Sequence, residues 1–364
     1  MSSATHPSAL RAWWAQRPPA AGAAVMATGI VSVALHLTGR EVLSRTALVL
    51  ACAAWLILAA NFVYLLLADH AQWVKRAGTP GALTAVAATT VLGTRFSLLG
   101  WTLLAAVLLA LAALLWPWLL LLVVRHWGRR MPGAVFLSCV ATEGLAVLAA
   151  TLAAATSTPW LAHAALVPFW LGIVLYLIAL FRFDLRQVAR GSGDHWVAGG
   201  ALAISALAGA KLLAAAGTGM YLWNADDQAV LHDVTVFLLT LDLAWYAVLL
   251  AAEIAWPRLR YDVRRWSTVF PLGMTAAATL SVAAVIDVPW LDGPGRALLW
   301  IAVAGWLAVA TGRGRPGQGG AAVRGSGPRC DRQVHSTAMK TFTRVSPPTS
   351  ANSGFSTFSS SRFT

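Results

Sequence analysis

Charged side chains are scarce in this sequence. Aspartate, glutamate, lysine and arginine make up 11% of 364 residues, while 58% are hydrophobic. Soluble domains carry about 25% charged residues. A water-soluble fold of this length could not keep so much apolar surface out of solvent, which points to lipid as the main solvent. Cysteine is scarcer still. Cys52 and Cys139 fall in apolar runs and Cys330 near the C-terminus. No CxxC or Cys/His spacing supports a disulfide framework or a metal site, so neither metal nor cofactor is predicted. P-loop, GxSxG, HExxH and dinucleotide fingerprints are also missing from plausible contexts, which argues against an ATP-driven pump and the common enzymes. Acidic residues number 14 against 27 basic ones, a net charge of +13. That excess does not imply nucleic acid. Residues 313–364 carry eight basic side chains and only Asp331 as an acid, so the tail supplies +7 and the first 312 residues +6.

Apolar runs are what the sequence has in abundance. Breaking it at charges and Pro/Gly clusters gives ten segments: 19–38, 46–68, 81–98, 101–124, 133–155, 160–181, 197–216, 230–252, 266–286 and 291–311. Most reach the ~20 residues that a hydrocarbon core requires. The third is diluted by Thr84, Thr89, Thr90, Gly93 and Arg95. The expected fold is an all-α integral membrane bundle of ten transmembrane helices. A cytoplasmic N-terminal segment (1–17) precedes a transmembrane domain (18–312), and a basic tail (313–364) reads as disordered from its Gly, Ser, Thr, Pro and Arg content. The polar N-terminal segment, with Arg11 and Arg17, does not read as a signal peptide. Eighteen tryptophans suit a chain with two lipid–water interfaces.

Loop charge alternates. Arg11, Arg17, Lys75, Arg76, Arg125, Arg129, Arg130, Arg182, Arg186, Arg190, Arg258, Arg260, Arg264 and Arg265 fall on one side, and Arg40, Arg45, Arg95 and Arg296 on the other. The positive-inside rule then places both termini in the cytoplasm of a cell-membrane protein. Ten spans, an even number, likewise require the two termini to share a side.

A second alternation concerns polarity. Odd segments hold the small and polar residues: Thr28 and Gly29 in the first, Thr90 and Gly93 in the third, Thr142 and Glu143 in the fifth, Ser205, Gly209 and Lys211 in the seventh, and Gly273 in the ninth. Even segments are plainer. Polar groups in lipid need partners or water, so odd helices are expected inside and even ones outside, as five hairpins around an axis. The competing explanation is that Gly and Thr serve helix packing.

Ionisable residues within spans are functional candidates, because burying them is costly. Glu143 either gates anions by its charge, carries a proton, or is a protonated packing residue. Lys211 either attracts anions to a cavity or snorkels to the interface. Asp242 reads as a structural partner for a neighbouring helix. His36, His163 and His232 sit at span ends, and no mid-membrane pair suits a haem. In the ninth span, Pro271 predicts a kink, and Phe270 beside it is either a plug that closes a pore by excluding water or a packed side chain.

The ninth span, Arg264 to Met274, resembles the WWxxxFP-type segment of the tellurite-resistance/dicarboxylate transporter family. That family includes tellurite-resistance proteins, malate permeases, sulfite exporters and slow anion channels. Val25-Met26-Ala27-Thr28-Gly29-Ile30 resembles its VMGTGI-like first-span motif, and Thr89–Gly93 and Ala201–Ser205 are similar to further family segments. The resemblance covers residues 11–312. It implies a quasi-fivefold ring of hairpins, a central pore lined by odd helices, a homotrimer, and a gating phenylalanine matched by Phe270. Small anions and the lipid bilayer are then the partners, with C4-dicarboxylates such as malate first and chloride, nitrate, sulfite or tellurite next. Two departures stand out: Trp266 is single where relatives often have two tryptophans, and Glu143 stands where many have a neutral residue. An acid in the pore would favour proton-coupled transport.

Overall fold

The computed structural model describes residues 22–190, 193–218, 223–256 and 265–312. The N-terminal segment, the basic tail and the loop arginines Arg258, Arg260 and Arg264 lie outside the described residues. Ten long helices organise the rest: α1 (Gly22–Leu37), α2 (Glu41–Ala68), α3 (Thr84–Leu98), α4 (Thr102–Arg125), α5 (Leu137–Thr156), α6 (Pro159–Arg182), α7 (Val197–Ala216), α8 (Ala225–Ala255), α9 (Trp266–Val285) and α10 (Asp292–Gly312). Short single-turn helices lead into α3, α5, α7 and α10, and an eight-residue helix, His70–Ala77, follows α2.

Among the described residues, eight helices are long and apolar enough to cross a membrane, and α1 is a shorter apolar helix. The third predicted segment forms a helix of only 15 residues. Its hydroxyl-rich sequence accounts for its low apolarity. The described residues form the helical bundle of a multi-pass membrane protein.

Burial separates the helices into two sets. The spans containing α5, α7 and α9 are 83–100% buried, whereas those of α2, α4, α6, α8 and α10 are 17–33% buried. In α1 and α3, all but three residues of each are buried. The even helices expose Leu, Val, Ile and Trp, as lipid-facing surfaces do. Each odd helix packs on the even helix that follows it. In addition, α1 packs on α3, α3 on α5, α5 on α7, α7 on α9, and α9 on α1.

Small residues permit these close approaches, as in membrane helices generally. A Cβ on Gly29 would lie 2.8 Å from Val91 Cγ1, one on Gly200 2.9 Å from Pro271 Cγ, and one on Gly273 2.9 Å from Ile30 Cγ2. Gly144 lies directly on Thr90. Gly93 meets Leu148, where a Cβ would come within 2.6 Å of the leucine Cδ2.

Beyond packing, buried polar groups tie the first three helices together. Arg95, fully buried at the end of α3, donates from Nη2 to Glu41 Oε1 at 2.7 Å and from Nε to Ser44 Oγ at 2.9 Å. Ser32 and Ser44 exchange hydroxyl-to-carbonyl hydrogen bonds of 2.7 Å between α1 and α2. Arg95, within the third segment, was counted among the loop charges of the non-cytoplasmic side. It is drawn inside because α2 supplies a carboxylate and a hydroxyl to a charge that could not be buried alone.

Gly144→Val should separate α3 from α5 and lower stability by about 1–3 kcal/mol through overpacking. Gly293→Ala, where the added methyl meets nothing within 4 Å, should stay within about 0.5 kcal/mol of wild type. Thermal unfolding in detergent measures both, and equal shifts would contradict the packing described.

Candidate functional site

All five odd helices contribute to the wall of one narrow cavity: Ile30 and Val33 from α1, Thr90 and Thr94 from α3, Gly144 and Val147 from α5, Ile204 and Lys211 from α7, and Met274 from α9. Its volume is about 10 Å³, room for about one water. The wall is apolar apart from two threonines and one cation. Even those hydroxyls are engaged: Thr94 donates to Thr90 O and Thr90 to Ala87 O, both at 2.9 Å. Among the described residues, Lys211 is the one charged side chain in the wall.

The surroundings of α9 limit the directions open to Phe270. Pro271 meets Gly200 of α7, Gly273 meets Ile30 and Val31 of α1, and Leu272 meets Gly305 of α10. The face left over carries Phe270 and Met274, which lie one turn apart on the same side of the helix. Met274 belongs to the cavity wall. Phe270, 1% exposed, sits one turn nearer the start of α9.

Of the residues picked from sequence, Thr90 and Lys211 line the cavity. The structure sets the others at contacts between helices. Gly29, Gly93 and Gly273 face Val91, Leu148 and Ile30, and Gly209 lies on Thr235 of α8. Thr28 accepts a hydrogen bond from Trp306 Nε1 at 2.9 Å, and Thr142 one from Trp116 Nε1 at 2.8 Å. Ser205 donates to Glu143 Oε1 at 3.0 Å, and the Glu143 carboxyl lies against Gly172 of α6. Asp242 accepts from Thr275 of α9 at 3.2 Å, which ties α8 to α9. These polar groups meet across helix seams, because unpaired polar groups in a bilayer are costly, although Glu143 Oε2 and Asp242 Oδ2 keep no hydrogen-bond partner.

The tryptophan donors were missed in the sequence. Trp55 Nε1 donates to Thr89 at 2.9 Å, completing a set with Trp116 to Thr142 and Trp306 to Thr28. Each of these tryptophans is the fifteenth residue of its helix, in α2, α4 and α10. Each clasps the odd helix of the neighbouring hairpin. They are therefore not interfacial residues of the kind a membrane chain's tryptophan content suggests. They are deep in the helices because a buried indole N–H seeks an acceptor. The detectable signal was that shared position, which depends on knowing where each helix begins.

Buried odd helices, exposed apolar even helices and a small cavity between the odd ones define a multi-pass membrane protein with a helical core sheathed by lipid-facing helices. Residues 16–313 match the family described as voltage-dependent anion channel (SLAC1), and the chain belongs to that family of anion channels and transporters. The resemblance to tellurite-resistance/dicarboxylate transporters is borne out by that match. The chain is also similar to two uncharacterized membrane proteins of Mycobacterium tuberculosis, from strains CDC 1551 / Oshkosh and H37Rv. Each is 30% identical over 138 residues, covering 36% of this chain and 68% of the relative.

Glu143→Gln keeps an acceptor for Ser205 and lies off the cavity. It should unfold within about 1 kcal/mol of wild type and leave relative anion permeabilities unchanged in proteoliposome flux. Altered permeability ratios would place this side chain in the anion's path.

Proposed function

We propose that the ten helices form five hairpins in quasi-fivefold order about an axial pore, that small anions cross the membrane through it, and that Phe270 is its gate. The observation that carries this reading is the shared cavity wall, to which every odd helix contributes. The succession of odd-helix contacts, which returns from α9 to α1, supports the ring. The shared face of Phe270 and Met274 supports the gate. A phenyl ring on the axis, one turn below a cavity holding about one water, closes the path by excluding water. Pro271 removes a backbone hydrogen bond beside it and lets that turn of α9 shift with the ring.

The cavity chemistry bears on which anions pass. Among the described residues Lys211 offers the one positive charge, and the threonine hydroxyls already donate their hydrogen bonds to backbone carbonyls. An anion must therefore shed most of its water against an apolar wall. Size and ease of dehydration then select more than binding does. Singly charged anions such as chloride and nitrate meet that demand better than C4-dicarboxylates such as malate, whose second carboxylate would face no cation. Sulfite and tellurite belong with the inorganic group. The acid that could couple a proton to the anion, Glu143, is engaged with Ser205 off the cavity, which favours uncoupled passage.

The positive-inside rule orients the chain with both termini in the cytoplasm of a cell-membrane protein. Apolar outer faces of the even helices suit both lipid and further copies of the chain, and we read the assembly as a homotrimer.

Phe270→Ala should raise chloride and nitrate flux in proteoliposomes about tenfold or more. Unchanged flux in a folded protein would remove the gate. Lys211→Gln should lower flux several-fold, roughly, and most strongly at low ionic strength, where a fixed charge acts furthest. Equal flux at all salt concentrations would take Lys211 out of the anion's route.

A further inference from the structure

Contacts between the odd helices pair like-numbered places. Gly22 and Thr84, the first residues of α1 and α3, meet, and so do Gly29 and Val91, the eighth of each. Gly144, eighth in α5, lies on Thr90, seventh in α3. Gly200, fourth in α7, meets Pro271, sixth in α9, and Gly273, eighth in α9, meets Ile30, ninth in α1. The odd helices therefore run parallel and nearly level, and a residue's place in its helix measures its depth.

On that scale most of the cavity wall falls between the seventh place, Thr90, and the twelfth, Val33. Lys211 stands beyond them at the fifteenth place of α7, and Phe270 before them at the fifth of α9. Ten places correspond to about 15 Å of helix rise. The one cation of the wall is thus at the end that the positive-inside rule turns outward, and the bulky ring is at the cytoplasmic end. Helix side chains lean toward the N-terminus, so the Lys211 stem reaches back to the cavity it lines. Lys211 is half-buried, and among the described residues it has no ion-pair or hydrogen-bond partner. Glu41, an acid at the same end of the bundle, is already shared by His36, Arg45 and Arg95.

We propose, resting on the pore reading above, that Lys211 makes anion permeation one-sided. A small anion is held weakly beside its ammonium at the outer end, and the apolar stretch down to position 270 is the remaining barrier. An anion from outside crosses most of the membrane field before it meets that barrier; one from the cytoplasm meets it first. Voltage therefore speeds entry more than exit, while without a driving force the two directions balance. Two features act the other way: the positive ends of the odd helices and the basic loops both face the cytoplasm. The helix-end effect falls off within a turn, and exposed loop charges are screened beyond about 8 Å at physiological salt. Lys211 lies five residues inside the end of α7, against an apolar wall, where screening is weaker.

Chloride currents through the Phe270→Ala chain test this in patches excised from bacterial spheroplasts, which keep the chain's orientation. At equal and opposite voltages, chloride entry from the outer face should exceed exit by about twofold or more. Lys211→Gln in that chain should lower entry by roughly severalfold and exit far less, and Lys211→Arg should keep the asymmetry. In the Phe270→Ala chain itself the asymmetry should fade at about 1 M salt, where the screening length falls to about 3 Å. Equal currents in both directions at low salt, an asymmetry undiminished by salt, or equal losses in both directions with Lys211→Gln would overturn the proposal and leave the pore standing. A folded Phe270→Ala chain that passes no chloride would overturn both.

Discussion

Polar groups inside a bilayer have no water to turn to, and this constraint organises the bundle. Arg95 reaches Glu41 and Ser44, Glu143 receives Ser205, Asp242 receives Thr275, and three tryptophans donate to three threonines. Most of these contacts cross from one hairpin to the next. They hold the odd helices at a fixed rotation, with polar side chains committed sideways and apolar ones left for the axis. The cavity is consequently poor in hydrogen-bond donors although the helices around it are rich in hydroxyls.

That arrangement has a functional corollary. A cavity whose walls offer one lysine and little else cannot bind an anion tightly, and weak binding is what permeation through the proposed pore requires. The close glycine contacts, Gly200 on Pro271 and Gly273 on Ile30, bring α9 near both of its odd-numbered neighbours. They leave Phe270 and Met274 little choice of direction. The placement of the proposed gate residue thus follows from packing on its flanks more than from any contact of its own.

Much of the fold was legible in the sequence. Apolar runs located the helices, and the polarity alternation separated the buried set from the exposed set. It misjudged what the polar residues do. Thr28, Thr142 and Ser205 sit on buried helices as anticipated, but their hydroxyls serve seams, because hydropathy reports burial and is blind to rotation about the helix axis. Phe270 stood out only through the kink that Pro271 predicts beside it and a family resemblance. Trp55, Trp116 and Trp306 were hidden among many tryptophans. Arg95 was hidden too, since its partners lie 54 and 51 residues away in sequence.

Water-soluble thiol reagents test the axial path most directly. In a Phe270→Ala chain whose Cys52, Cys139 and Cys330 are replaced by alanine, Met274→Cys should react with a charged methanethiosulfonate and lose anion flux. Leu272→Cys, which faces α10, should remain unmodified with flux intact. Equal reaction at both positions, or flux unaffected by modification at 274, would contradict a passage running between the odd helices.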